Sequence, residues 1–253
     1  RVLFRSDGFA ATLAQTAPRL AYLMPDFHNP TGRCMDAATR QTITDIAAQT
    51  RTTLVVDETM VDLWFDVPPP PPLAAFNPEA TVMTLGSAGK SFWGGLRLGW
   101  IRASSRTIAT LAQTRDTLDL GSPVLEQLAT LWLIENSATF LPARRQMLAE
   151  RRDRCGQMLR EHFPEWRFQE AEGGLSYWIE LPGMLATQLA ARAETTGIIM
   201  GTGTRFGLSG AFDRYLRMPF SLSSPELEEA LLRIKPLWRA LNKSVAPVKR
   251  SLV

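Results

Sequence analysis

A run of β-favouring residues, Thr81-Val-Met-Thr-Leu85, opens into a loop dense in glycine and serine, and the chain leaves that loop through a second apolar run from Leu96 to Ile101. Gly86, Gly89, Gly94, Gly95 and Gly99 let the backbone come close to a bound group, Ser87 and Arg97 bring strong donors, and Lys90 is the amine set between them. A loop of this make-up suits an anion and a reactive amine together. Taken alone it also fits a solvated strand-to-strand turn, so its meaning depends on what lies upstream.

Two further apolar runs precede it. Leu20-Ala-Tyr-Leu-Met-Pro25 leads into Asp26-Phe-His-Asn-Pro-Thr-Gly32, and Leu54-Val-Val-Asp57 ends on an acid with Glu58 next. Read as strands, the three runs close in polar clusters: Asn29, then Asp57, then Ser87 with Lys90. Ligands of open α/β sheets sit outside the carboxyl ends of the strands, so the clusters are expected to converge on one crevice. Between the first two strands Asp36 is the expected N-cap of a helix reaching about Thr50, with Ile43, Ile46 and Ala47 as its apolar stripe, which completes a βαβ unit.

The ordered set Asn29-Pro-Thr-Gly32, Asp57, and Ser87-Ala-Gly-Lys90 followed by Gly95-Leu-Arg-Leu-Gly99 resembles the fold-type I pyridoxal-phosphate enzymes, the class I and II aminotransferases of the aspartate-aminotransferase superfamily. The spacing from Lys90 to Arg97 is similar to that of the subgroup holding aminoadipate-type aminotransferases and the aminotransferase-like domains of MocR regulators. The resemblance implies an α/β fold, with the mostly parallel sheet of a pyridoxal-phosphate-binding large domain, incomplete here, over residues 1–140. A linking helix and a smaller α+β domain would occupy 141–253. The implied cofactor is pyridoxal 5'-phosphate. Lys90 would be the catalytic amine that holds it as a Schiff base, and Asp57 would pair with its ring nitrogen. Asn29 would bond its phenolic oxygen, and Ser87 and Arg97 would hold its phosphate. Arg217, inside the otherwise apolar Tyr215-Leu-Arg-Met-Pro-Phe220, resembles the family's arginine that grips the substrate α-carboxylate, with Asn29 beside the same substrate. Gly174 and Tyr177 are further candidates for lining the pocket.

Two departures from the family pattern stand out. Many relatives carry a tyrosine three residues after the strand-end aspartate, where this chain has Met60, which donates no hydrogen bond. The part of the family fold that precedes the first strand, with its glycine-rich turn and its ring-stacking aromatic, has no counterpart here. The start Arg1-Val-Leu-Phe-Arg-Ser6 lacks an initiating methionine and reads as the beginning of a fragment whose first six residues are a cloning or sequencing remnant. Two functions stay open: an amino-acid aminotransferase acting on amino acids and 2-oxo acids, and the effector domain of a MocR-type (GntR family) regulator. In the regulator the nucleic-acid reader would lie upstream. Relatives usually form homodimers, and the resemblance implies the same here.

The rest of the sequence sets bounds. With 253 residues and 45% hydrophobic content the chain can bury a sizeable core. A net charge of +3, with Lys and Arg scattered except near Arg144 to Arg154, does not read as a nucleic-acid surface. Cys34 and Cys155 have no metal-like spacing, which favours a reduced cytoplasmic setting, and no apolar run approaches the ~20 residues that span a bilayer. Pro68 to Pro72 is expected to be an extended surface connector. Strands are expected at 81–85 and 96–102, and helices at about 104–118, 123–136 and 140–162 with Pro123 and Pro142 near first turns. A hairpin should follow from Trp166, then a helix at 184–196, a strand at 198–201 and a last helix from Ser224 to Asn242, kinked at Pro236. Trp93 and Trp100 are expected in the core, and His28 and His162 in structural roles.

Overall fold

A computed structural model describes residues 4–245; the opening Arg1-Val-Leu and the last eight residues lie outside the described part. The chain divides into two compact units, Arg1–Met147 with Glu172–Gly174, and Leu148–Ala171 with Leu175–Val253.

The first unit begins with α1 (Ser6–Thr16), β1 (Leu20–Leu23), α2 (Ala37–Thr50) and β2 (Thr53–Asp57). It continues through β3 (Val82–Ser87), the short turn α3 (Ala88–Ser91), β4 (Gly99–Arg102), α4 (Ser105–Arg115) and α5 (Val124–Glu135). The 26-residue α6 (Ser137–His162) runs on into the second unit. Its sheet has the order β1-β2-β3-β4: β1, β2 and β3 are parallel, and β4 returns antiparallel to β3. Asp36 caps α2 by accepting the Thr39 N–H at 2.7 Å, as the sequence predicts.

Side chains alternate across a strand, and that alternation sorts the sheet into two faces. On one, Leu54 and Val56 pack with Met35, Ile43, Ala47 and Leu73 into a core that Ala21, Leu23 and Val82 extend. The other carries Tyr22, Val55, Asp57 and Leu85, all less buried. Arg40 lies on the buried stripe of α2 with Ile43, Thr44 and Ala47, and it is fully enclosed. Its Nη2 donates to Asp26 Oδ1 at 2.5 Å, its Nε to the Met35 carbonyl at 3.0 Å and its Nη1 to the Pro71 carbonyl at 3.1 Å. One buried arginine thus ties the strand-end turn, the helix start and the proline tract together.

Three expectations need correction. The strand expected from Leu96 begins only at Gly99, because Gly94–Leu96 forms a 3-10 turn and Arg97 takes a left-handed backbone with φ 53°. Trp93 and Trp100 are 68% and 44% exposed rather than core residues; Trp100 lies across the strand from Gly86, where a Cβ would sit 2.1 Å from its indole. Pro142 falls inside α6 instead of near its first turn.

The second unit has β5 (Arg167–Phe168), β6 (Ser176–Glu180), α7 (Ala186–Glu194), β7 (Gly201–Thr202), β8 (Tyr215–Pro219) and α8 (Ser224–Val245). Its sheet is antiparallel with order β5-β6-β8-β7, as the α+β texture predicts. The strand expected at 198–201 is the shorter β7, and α8 runs on past Asn242 with Pro236 inside it. Ile179, Leu189, Leu216, Leu231 and Trp238 are among its buried side chains.

Candidate active site

The site is built where β2 and β3 end. Asp57 pairs in register with Leu85, so its side chain shares a sheet face with Leu85 and, two residues on, Ser87. At the end of β3 the chain turns at once into α3. The Ser87 hydroxyl accepts the Gly89 N–H at 3.1 Å, and the Ala88 N–H reaches the Leu98 carbonyl at 3.1 Å, closing the loop on itself. Ser87, Gly89, Gly94, Arg97, Leu98 and Gly99 line a cavity of about 240 Å³. A side chain at Gly89 would come within 3.3 Å of Ser87 Oγ and 3.7 Å of the Gly94 Cα, filling the mouth of this cradle. Backbone N–H groups, a hydroxyl and a guanidinium around a space that size suit a phosphate-bearing group.

Lys90, next to the cavity-lining Gly89, is exposed, and the turn that carries it is tied at two points. Arg144 Nη2 donates to the Lys90 carbonyl at 3.0 Å, and the Ser91 hydroxyl donates to Asp62 Oδ2 at 2.6 Å, fixing the next residue to the loop after β2. The amine is thus carried on an anchored turn.

Asp57 is held at both carboxylate oxygens. The Thr59 N–H reaches Oδ1 at 2.9 Å, and the Tyr22 hydroxyl donates to Oδ2. Burial first, and then this bond to Asp57, raise the Tyr22 pKa far above the ordinary phenol value, so it stays a neutral donor. Tyr22 escapes sequence reasoning, because strand alternation places it on the Asp57 face only once the β1–β2 register is known.

Asn29 sits half-buried in the turn after β1. That turn is braced by the His28 N–H to the Arg33 carbonyl at 2.8 Å, the Gly32 N–H to the His28 carbonyl at 2.7 Å, and His28 Nδ1 against Thr31 Oγ1 at 3.0 Å. Glu172, from the segment that joins this unit, ion-pairs with Arg33 at 2.9 Å and accepts the Cys34 N–H at 3.1 Å. Gly174 bonds the Leu63 carbonyl at 2.8 Å with φ 84°, so it braces this region by its backbone.

Behind β2, on the face opposite Asp57, lies a second group that the sequence does not reveal. Asp26 is enclosed, and burial raises its pKa even though the Arg40 guanidinium opposes that shift. Glu58 has one buried carboxyl oxygen without a hydrogen-bond partner, and its pKa is raised to about 7, chiefly by burial and then by the Asp26 charge. Arg40, Arg102 and a backbone N–H at Leu73 pull it the other way.

Within the second unit, Arg217 is half-buried on β8, paired with Trp178 on one side and Gly201 on the other. Burial lowers the pKa of its guanidinium. Tyr177, by contrast, is wholly buried with its hydroxyl on the Arg152 carbonyl at 3.1 Å and on Glu170, which makes it a core residue. His162 sits with Nδ1 3.2 Å from Lys235 Nζ, as a structural residue would. The described residues contain no group of His, Cys, Asp and Glu able to hold a metal ion, and no helix long and apolar enough to cross a membrane.

Residues 17–234 match the family described as aminotransferase class I and II. An HTH-type transcriptional regulator of Bacillus subtilis, YisV, is 33% identical over 173 residues, covering 65% of this chain and 35% of the regulator. The 2-aminoadipate transaminase of Thermus thermophilus is 28% identical over 248 residues, covering 96% of this chain and 62% of the enzyme. Among solved structures, the α-aminoadipate aminotransferase LysN of Thermus thermophilus, complexed with N-(5'-phosphopyridoxyl)-L-leucine, superposes with a TM-score of 0.88 at 27% identity. That match covers 94% of this chain and 63% of LysN. The chain therefore spans less than two thirds of the length of these relatives.

Proposed function

The chain belongs to the class I and II aminotransferase family, and from that premise we propose that it is part of a pyridoxal-phosphate-dependent amino-acid aminotransferase, which moves an amino group between an amino acid and a 2-oxo acid. The observation that carries the reading is the glycine-walled cradle of Ser87 and Arg97 beside Lys90, at the sheet end where Asp57 presents its carboxylate. The residues fit the group: a cradle for the phosphate, an amine for the aldehyde and a carboxylate for the ring nitrogen. When bound, pyridoxal phosphate supplies the electron sink that makes the amino-acid Cα proton removable.

The chain's own residues do the remaining work. Ser87 and Arg97 hold the phosphate oxygens through charge-assisted bonds, and the planar fork of Arg97 sets direction as well as charge. Lys90 would hold the group through Nζ and, with its amine free, would be the base that carries the substrate's Cα proton away from Cα. Asp57 would accept from the ring nitrogen and favour its protonated form. Asn29 bonds the phenolic oxygen and borders the substrate, and Arg217 grips the substrate carboxylate with two parallel N–H donors. Met60 brings no hydroxyl to the phenolic oxygen, so Asn29 alone of the two usual donors serves it. We take the division into domains at about residue 140, and the protein as a cytoplasmic homodimer. The exposed Leu118, Leu120, Val124, Leu125, Leu128 and Trp132 support burial of α5 and the segment leading into it against a second copy.

A second reading keeps the cofactor and changes the role: the aminotransferase-like effector domain of a MocR-type regulator. It is favoured by the HTH-type regulators among the relatives and by Met60. One experiment on protein expressed from its complete reading frame tests the site and another divides the roles. Borohydride reduction in the presence of pyridoxal phosphate should fix the cofactor on the peptide bearing Lys90; label on Lys235 or Lys243 instead refutes the assignment. Transfer of an amino group to a 2-oxo acid marks the enzyme, whereas cofactor on Lys90 with no transfer marks the effector domain.

A further inference from the structure

We propose that Tyr22 is a positioning residue for the cofactor's ring nitrogen, acting through Asp57; the proposal rests on the site reading above. The phenol and the carboxylate come from neighbouring parallel strands. In the β1–β2 register Tyr22 stands beside Val55, two residues before Asp57, on the same face of the sheet. The Tyr22 hydroxyl donates to Oδ2 of Asp57 while the Thr59 N–H donates to Oδ1 at 2.9 Å. Two donors from different elements fix the rotation of a carboxylate that one donor would leave free to swing. Each oxygen has a second lone pair, so the ring N–H can be accepted without displacing either partner.

The arrangement gives this chain a device at the ring nitrogen in the same site where Met60 brings no hydroxyl to the phenolic oxygen and leaves Asn29 to serve it. Tyr22 would touch neither substrate nor reacting atom. Its influence passes through the direction of one carboxylate, and it therefore depends on the cofactor having a nitrogen for that carboxylate to meet.

The test compares two ligands on protein from the complete reading frame: pyridoxal phosphate and its carbocyclic analogue, in which C–H replaces the ring nitrogen. Dissociation constants are read by fluorescence for the wild type and Tyr22→Phe. Removing a hydrogen bond to a charged group should weaken pyridoxal phosphate roughly tenfold and leave the analogue within about twofold. Equal weakening of both ligands, or of neither, overturns the proposal while the site reading stands. Tighter binding by Tyr22→Phe also overturns it, because the phenol would then be blocking the nitrogen's place. Failure of the wild type to bind pyridoxal phosphate overturns the site reading and this proposal with it. Should Tyr22→Phe not fold, 3-fluorotyrosine at position 22 replaces it. Its more acidic hydroxyl should shift the visible band of bound pyridoxal phosphate and leave that of the analogue unmoved, and equal shifts in both count against the proposal.

Discussion

Glu58→Gln should change how stability depends on pH. Glu58 comes directly after β2, beyond Asp57, and burial and then the Asp26 charge raise its pKa from 4.5 to about 7. An acid with a raised native pKa binds more protons folded than unfolded between those two values. Wild-type stability therefore falls as pH rises from about 4.5 to 7 and levels off above. A shift of that size is worth at most about 3 kcal/mol, at 1.36 kcal/mol for each pKa unit, and less in so far as solvent screens the part of the carboxyl that stays exposed. Gln has the same shape and no charge to desolvate. Its stability should lack this fall, so the variant gains on the wild type by up to about 3 kcal/mol between pH 5 and pH 8. Urea midpoints of both proteins at the two pH values measure it. The difference between the two pH responses is the quantity to compare, and it includes the change in Asp26, whose charge is coupled to that of Glu58. Identical pH slopes in wild type and Glu58→Gln would refute the reasoning.

Two other perturbations follow from the same physics. Arg40→Leu removes four hydrogen bonds and leaves Asp26 buried without its cation, a loss on the order of 3–5 kcal/mol; a thermal melt should show a drop of roughly 10 °C, and an unchanged melt would show that the pair contributes little. Arg97→Lys keeps the charge but loses the fork, so pyridoxal phosphate should bind about tenfold more weakly by fluorescence titration, while unaltered affinity would remove Arg97 from the phosphate cradle.

Much of the fold is legible because local rules wrote it. Asp36 at a helix start, the apolar runs at Leu20, Leu54 and Thr81, and the glycines around Lys90 each need only their neighbours in sequence to act. The order of polar strand ends carries the family likeness, which the match over residues 17–234 upholds. Where that reading slipped, a tertiary contact had intervened: Leu96–Leu98 has the hydrophobicity of a strand, yet it is bent so that Arg97 and Leu98 line the cradle. The surface tryptophans slipped for the opposite reason, since ring size argues for burial but says nothing about what covers the loop at Trp93 or the strand β4 at Trp100.

What the sequence determined alone is the kit: an amine, a carboxylate, a phosphate cradle and the strands that end beside them. What tertiary structure decided is pairing. Tyr22 reaches Asp57 only because β1 and β2 align Tyr22 with Val55, and Arg40 meets Asp26 only because α2 lays its buried stripe against the sheet. A side chain's type is local, whereas register and packing are fixed by burial across the whole sheet, so partners tens of residues apart are chosen by the fold.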